Sequence, residues 1–448
     1  MKFINPWVDS FKEANSIDYI RAKTLCTAKP LYGLDEDLVE VACAKIKQAF
    51  GETFVPTMQA CQIMKTCIEL AQGYAQKSYP SNTIFMERVY LDKEKSEPCF
   101  PIILTGPAGV GKSEIRKALI RLFGRQQSIN ADVNHGPFPL KLVQAVVAHG
   151  KKSVSALLMP LARPEVQRGE LKIKAANLLN EAATWIYISG CSLLLLDELQ
   201  FLTLSEKANT NITDAMMSFS CIGPPSIVIC NYSLVHRLRS RRQEDRQRLL
   251  SRTIVLLPDA PDSPDWILVL GELQKIVPNI YEFNFKEKAV DFWNLTAGLK
   301  RLLIGLLLIA YRVARRDGRS SVIWADIDKA YLSSDYSADR IDVDQMILNG
   351  ISGSGLPKDL TCPFPLPISE GRRVNESLEN ARKTLLAESV ALSSMSVNEK
   401  KALAKLQSRS DEIDVSKSRD KKSSSSRKKI KAEDLIRCAN IFKDKYKK

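Results

Sequence analysis

Two stretches near the start of the chain, residues 38–50 and 58–75, repeat apolar side chains at helical spacing, and each predicts an amphipathic helix. Tyr79-Pro80-Ser81-Asn82 ends that pattern, and a charged loop over 92–97 follows. Past residue 100 the periodicity changes. Ile102-Ile103-Leu104, Leu193-Leu194-Leu195-Leu196, Ile227-Val228-Ile229 and the run 253–257 are apolar at successive positions and are separated by helix-compatible segments. A strand that alternates has one wet face, whereas uninterrupted runs of this length are covered on both faces. Residues 83–260 therefore read as an α/β core around a parallel sheet. From 261 to 350 the pattern is helical again, over 264–277, 287–295, 299–315 and 323–332, as expected of a small helical lid. Beyond it, Ser352-Gly353-Ser354-Gly355 and the prolines at 357, 363, 365 and 367 predict loop, with a further helix over 374–393. Residues 408–429 have the composition of a disordered segment. The short amphipathic piece 432–442 reads equally as a docking peptide or as a frayed terminal helix. The expected divisions are 1–82, 83–260, 261–350, 351–407 and a basic tail, 408–448. No internal repeat is visible.

Composition narrows the class. With 448 residues, 45% hydrophobic and 26% charged, the chain is long enough for several domains and ordinary for a globular protein. The opening Met1-Lys2-Phe3-Ile4-Asn5-Pro6 lacks a secretory pattern, and the apolar stretch 302–310 is too short to span a bilayer. Ten cysteines without a Cys-x-x-Cys pair, accompanied by three histidines, argue against zinc. Cys191 and Cys230 lie in apolar runs, as reduced thiols of a cytoplasmic protein would. The net charge of +14 is uneven, because residues 400–448 hold 17 Lys/Arg against 7 Asp/Glu. A basic tail suits an acidic partner such as nucleic acid, and equally suits a tether.

The chemistry sits where the apolar runs end. Gly106-Pro107-Ala108-Gly109-Val110-Gly111-Lys112-Ser113 follows the first of them and precedes a helix-compatible stretch from Glu114. That strand–loop–helix context makes it a phosphate-binding loop. Glycines let the backbone N–H groups and the helix N-terminus face a polyphosphate, Lys112 neutralises its terminal oxygens, and the Ser113 hydroxyl ligates Mg²⁺. The run at 193–196 ends in Asp197-Glu198. In phosphoryl transfer to water the first acid helps to hold the Mg²⁺ shell and the second polarises the attacking water, so the pair favours an ATPase over a kinase. Asn231, at the end of the run 226–230, falls on the same sheet edge and can orient that water; the alternative is an ordinary turn Asn. Among the arginines before residue 253, Arg252 and then Arg248 are candidates for a finger reaching a neighbouring copy, most of the others decorating a solvated helix. Arg301, at the start of a lid helix where a cation opposes the helix dipole, is a candidate phosphate ligand.

Phosphate loop, acid pair, strand-end Asn, arginines before a strand and Gly298-Leu299-Lys300-Arg301, in that order, resemble the AAA+ ATPase superfamily. Within it the chain resembles the TnsC/TniB ATPases of Tn7-like transposons. The likeness is carried by Asn5-Pro6-Trp7, Arg21-Ala22-Lys23-Thr24-Leu25-Cys26, the run Leu196-Asp197-Glu198-Leu199-Gln200-Phe201-Leu202, and Asp132-Val133-Asn134-His135-Gly136 followed by Leu140-Lys141. Thr296-Ala297-Gly298 and Ile327-Asp328-Lys329-Ala330-Tyr331 extend it into the lid. The resemblance implies an AAA+ core with a helical lid, a helical N-terminal segment and a disordered basic tail. It implies ATP and Mg²⁺ as cofactors, and copies that assemble as a ring or helical filament on double-stranded DNA. A target-selector protein and transposase subunits would be its further partners, no membrane being involved. Lys141, after the second strand, would contact the DNA backbone. Two other readings stay open: a replication-initiator or helicase-loader ATPase, and a nucleotide-gated adaptor in which hydrolysis is incidental.

Overall fold

In the computed structural model the described residues are 5–91, 98–124, 127–130, 137–150, 153–200, 208–349 and 357–364, with 383, 387, 394 and 395 beyond them. The predicted helix over 374–393 is therefore covered only at isolated positions. The tail 408–448 and its amphipathic piece lie outside the described residues, as do 132–136.

Helix α1 (Pro6–Glu13) begins where its free backbone donors are met. The Asn5 side chain accepts from the N–H of Trp7 (3.1 Å) and Val8 (3.2 Å), and Pro6 fills the first helical position. Trp7 is fully buried and stacks on Tyr79 at 5.5 Å. Helices α2 (Ile17–Thr24), α3 (Val39–Glu52), α4 (Met58–Ser78) and α5 (Asn82–Leu91) follow. The predicted helices 38–50 and 58–75 are α3 and α4. The two N-terminal motif segments have structural work. Asn5 caps α1, Arg21 in α2 reaches Asp265 at 3.4 Å, and Cys26 pairs its backbone with Phe54.

The core runs β1 (Ile102–Thr105), α6 (Lys112–Phe123), β2 (Gln127–Ile129), β3 (Phe138–Leu140), β4 (Val143–Val147), α7 (Val154–Leu158), α8 (Pro164–Gln167) and α9 (Leu178–Ile188). It continues with β5 (Leu193–Asp197), α10 (Ala208–Ser220), β6 (Ser226–Ile229), α11 (Tyr232–Arg239), α12 (Gln243–Leu249) and β7 (Thr253–Val255). The main sheet has the order β4-β5-β6-β1-β7 and every pairing in it is parallel. The uninterrupted apolar runs are explained by the pleat. Leu193 and Leu195, with Ile102, Leu104, Ile227 and Ile229, face the N-terminal helices, α6 and the lid. Leu194 and Leu196, with Ile103 and Val228, face the layer of α7, α9, α10 and α11. Both faces are dry, as a parallel sheet between helical layers requires.

The lid comprises α13 (Pro264–Ile276), α14 (Ala289–Thr296), α15 (Lys300–Arg316), α16 (Trp324–Leu332) and α17 (Ser337–Asn349). The apolar stretch 302–310 is the buried face of α15. Helix α17 was not anticipated, because Asp339, Arg340, Asp342 and Asp344 mask the buried Val343, Met346 and Ile347. This sheet order, with a glycine loop after the inner strand β1 and a helical lid, is an α/β fold built on a parallel sheet between helical layers. Among the described residues no helix is long and apolar enough to cross a membrane. The described cysteines are free, and burial pushes the thiols of Cys67, Cys191 and Cys230 up to about 12.

Candidate nucleotide site

Parallel strands bring their C-terminal ends to one edge, and here each of four strands delivers something different to it. Strand β1 runs into the glycine loop, whose Gly109 (φ +85°) and Gly111 (φ +114°) adopt left-handed conformations that favour glycine. Gly111 then starts α6 with Lys112 and Ser113 in its first turn. The Lys112 side chain is 7% exposed, and its Nζ donates to the carbonyls of Gly106 and Pro107, both at 2.8 Å. Burial pushes this ammonium down to about 8; the Arg301 charge adds to the effect, while Cys230 and Asp197 oppose it.

Strand β5 ends on Asp197, which is 3% exposed. Its Oδ2 accepts from the Arg116 Nε at 2.9 Å, an ion pair the motif reading did not contain. Glu198 follows at φ +62°, in the left-handed region that a non-glycine residue enters at a cost of about 1–3 kcal/mol. Its Oε2 lies 3.8 Å from the His149 Nδ1, so His149, two residues past β4, is a neighbour that sequence reasoning missed. Asn231 starts α11, and its side chain makes no capping hydrogen bond there, unlike an ordinary turn Asn.

The lid closes the same edge. The Arg301 backbone N–H donates to the Gly109 carbonyl at 3.3 Å, and a methyl group on Gly109 would come within 2.8 Å of the Arg301 Cβ. Lys300 faces Asp259 at 3.8 Å, which relieves the unfavourable cation at a helix start; burial nevertheless raises the Asp259 carboxyl above the usual carboxylate range. Together these groups line a cavity of about 550 Å³ that Gly109, Val110, Gly111, Lys112, Ser113, Glu114, Asp197, Glu198, Asn231 and Arg301 share. Its apolar wall, comprising Phe50, Phe54, Val55, Leu257, Val269 and Leu273, was not foreseen. The signal was the apolar cluster in the short break between α3 and α4. Apolar walls with a few convergent polar groups are what a small-molecule site requires.

Six predicted residues do not line this cavity: Gly106, Pro107 and Ala108 at the start of the loop, and Arg252, Arg248 and Lys141. Arg252 and Arg248 are exposed, the first giving its carbonyl to the Ile103 N–H (3.0 Å) and the second lying over the Phe100 ring (6.0 Å). Lys141 lies between β3 and β4, ahead of the second strand of the main sheet and not after it. The strand expected before it is β2, which pairs antiparallel with β3 in a separate hairpin. Val143 pairs with Leu193 and Val147 with Asp197, so Lys141 stands at the sheet edge opposite the phosphate loop.

The donor set suits Mg²⁺. Ser113 and Asp197 supply hard oxygens, and Mg²⁺ keeps waters and takes substrate phosphates for its remaining positions. No group of three or more His, Cys, Asp or Glu able to hold a metal occurs among the described residues, so these two would hold the ion together with a nucleotide.

No protein-family model matches the chain, and no curated protein matches it. Among solved structures it is similar to the Aeropyrum pernix ORC2 protein in its ADPNP–ADP complexes, at 13% identity and a TM-score of 0.38, covering 71% of this chain and 95% of that one. It is similar to the A. pernix ORC1 protein in complex with DNA at 16% identity and a TM-score of 0.36, covering 64% and 68%. The likeness to Cdc6p from Pyrobaculum aerophilum has 14% identity, a TM-score of 0.37 and coverage of 67% and 78%. Values of this size assign no activity; the functional reading stands on the cavity.

Proposed function

We propose that the protein is an ATPase whose nucleotide state gates its assembly with further copies on duplex DNA. The observation that carries this is the convergence of Lys112, Asp197, Glu198 and Asn231 on one cavity at the strand ends. In this reading the glycine loop and Lys112 hold the polyphosphate, the Glu198 carboxylate accepts a proton from the attacking water, and Asn231 orients that water. Bound Mg²⁺, held by Ser113 and Asp197, supplies charge neutralisation at the phosphates. Arg301 adds positive charge from the lid. Arg252, exposed and outside its own copy's cavity, would reach a neighbour's, so that nucleotide lies between copies and holds them together.

The finer reading is a regulator of Tn7-like transposition that couples a target-selector protein to transposase subunits, and the N-terminal and lid sequence resemblances support it. The alternative is a replication-initiator or helicase-loader ATPase, which shares the same core and is the direction in which the ORC and Cdc6 likenesses lead. A transposase gene beside this one favours the first reading, and a replication origin favours the second.

The test is electron microscopy and sedimentation with ATP, Mg²⁺ and duplex DNA. Rings or filaments are expected, to be abolished by Lys112→Ala and accumulated by Glu198→Gln. A protein that stays monomeric under these conditions refutes the gating, and parental turnover by Glu198→Gln refutes the role given to that acid.

A further inference from the structure

The Asp197 carboxylate is the metal-side acid of the site, yet it is already engaged. Arg116 lies one turn after Lys112 on α6, which puts both side chains on the same helix face. Its Nε donates to the Asp197 Oδ2 at 2.9 Å, with the two side chains 18% and 4% exposed. A guanidinium keeps its charge at any working pH, so this contact is a permanent positive charge beside the acid. Lys112 and Arg301 line the same cavity, alongside the acids Glu114 and Glu198.

We infer that Arg116 is a positioning residue that competes with Mg²⁺ for Asp197, so that the site holds little divalent metal until a nucleotide brings it. The reasoning is electrostatic. A buried carboxylate with a guanidinium at hydrogen-bond distance is neutralised, and a dication approaching it meets a like charge at short range. Polyphosphate supplies the negative charge that reverses the balance. The nucleotide-free protein therefore keeps Asp197 paired with Arg116 at the cavity without a metal, and nucleotide and metal enter together. This inference rests on the reading of Asp197 as a metal-side acid.

Mn²⁺ is the probe, followed by the loss of its free paramagnetic signal as full-length, nucleotide-free protein is added. Arg116→Met removes the charge and keeps the length of the side chain. It is expected to bind Mn²⁺ about tenfold more tightly than the parent, as befits an exposed imbalance of one buried charge. Arg116→Lys, which keeps a cation near Asp197, is expected to stay close to the parent. Unchanged or weaker Mn²⁺ binding by a folded Arg116→Met protein overturns the inference, because a merely structural arginine leaves metal affinity where it was or lowers it. Should Arg116→Met not fold, Arg116→Gln, which can still donate one hydrogen bond to Asp197, carries the same expectation and the same refutation. Adding Asp197→Asn to the Arg116 variant must abolish the gain, and its persistence also overturns the inference. A fluorescent ADP titration in Mg²⁺ and in EDTA separates this result from the nucleotide reading. Failure of the parent to bind ADP in either condition sinks the proposed function, whereas the Mn²⁺ arm decides the role of Arg116 by itself.

Discussion

On the proposed function, Lys112 should make nucleotide binding a proton-linked event. Burial pushes the ammonium down to about 8, against an ordinary value of 10.5, because desolvation outweighs the help it receives from Cys230 and Asp197. That gap corresponds to on the order of 3 kcal/mol of penalty for keeping the charge buried. The sign follows from proton counting. Between pH 8 and 10.5 the unfolded chain holds the Lys112 proton and the folded chain does not, so this group's contribution to stability rises with pH across that window; the penalty is full below pH 8 and gone above 10.5. A polyphosphate reverses the balance by restoring the charge. Nucleotide affinity should therefore be flat below pH 8 and fall by up to about tenfold per pH unit above it, with close to one proton taken up on binding. Calorimetry at pH 8.5 in buffers of different ionisation enthalpy reads the proton directly, and fluorescent-nucleotide titrations from pH 7 to 9.5 read the slope. Lys112→Arg, charged throughout, should flatten the profile. A parent profile that stays flat to pH 9.5, with no proton uptake, would refute the link between burial and charge at this residue.

Other outcomes follow from the same geometry. Gly109→Ala meets both a left-handed φ and the Arg301 Cβ at 2.8 Å, whereas Gly111→Ala meets a positive φ in open space. Left-handed strain alone is about 1–2 kcal/mol, so both should weaken nucleotide binding, Gly109→Ala more; equal losses in titration would show that the lid contact is immaterial. Arg252→Ala protein should be inactive alone and regain hydrolysis when mixed with Glu198→Gln protein, since one copy then lends its arginine to the other's cavity. No recovery in a phosphate-release assay would place the finger elsewhere, and the same result for Arg248→Ala would place it there. Trp7→Ala should cost about 3–5 kcal/mol by urea unfolding, as deletion of a buried ring does; a loss below about 1 kcal/mol would contradict the packing of Trp7 on Tyr79.

How much of this was legible before folding depended on whether the signal was local. The phosphate loop, the acid pair and the lid helices announce themselves within a dozen residues, through glycines, an apolar run that stops on two acids, and helical periodicity. Both sheet faces were implied too, because the run 193–196 has no polar position to expose. The Arg116–Asp197 pair joins residues 81 apart, and His149 meets Glu198 only because β4 and β5 are neighbours in the sheet. Neither leaves a trace in any window of sequence. Lys141 was placed after the second strand by resemblance alone, and no local signal in the sequence marks the β2–β3 hairpin that precedes it. The apolar wall at Phe54 and Val55 hid in what read as a connection between helices.

That wall has a thermodynamic corollary. The cavity is bounded by the break between α3 and α4, by the glycine loop, and by α13 and α15, stretches separated by as many as 250 or so positions along the polypeptide. An occupant touching all three acts as a clasp on chain segments that have no covalent reason to stay together. Saturation at a hundred times the dissociation constant would add about 2.7 kcal/mol to the resistance of the whole body to melting. Emptying the cavity would remove that clasp from α3, α13 and α15, which all border it.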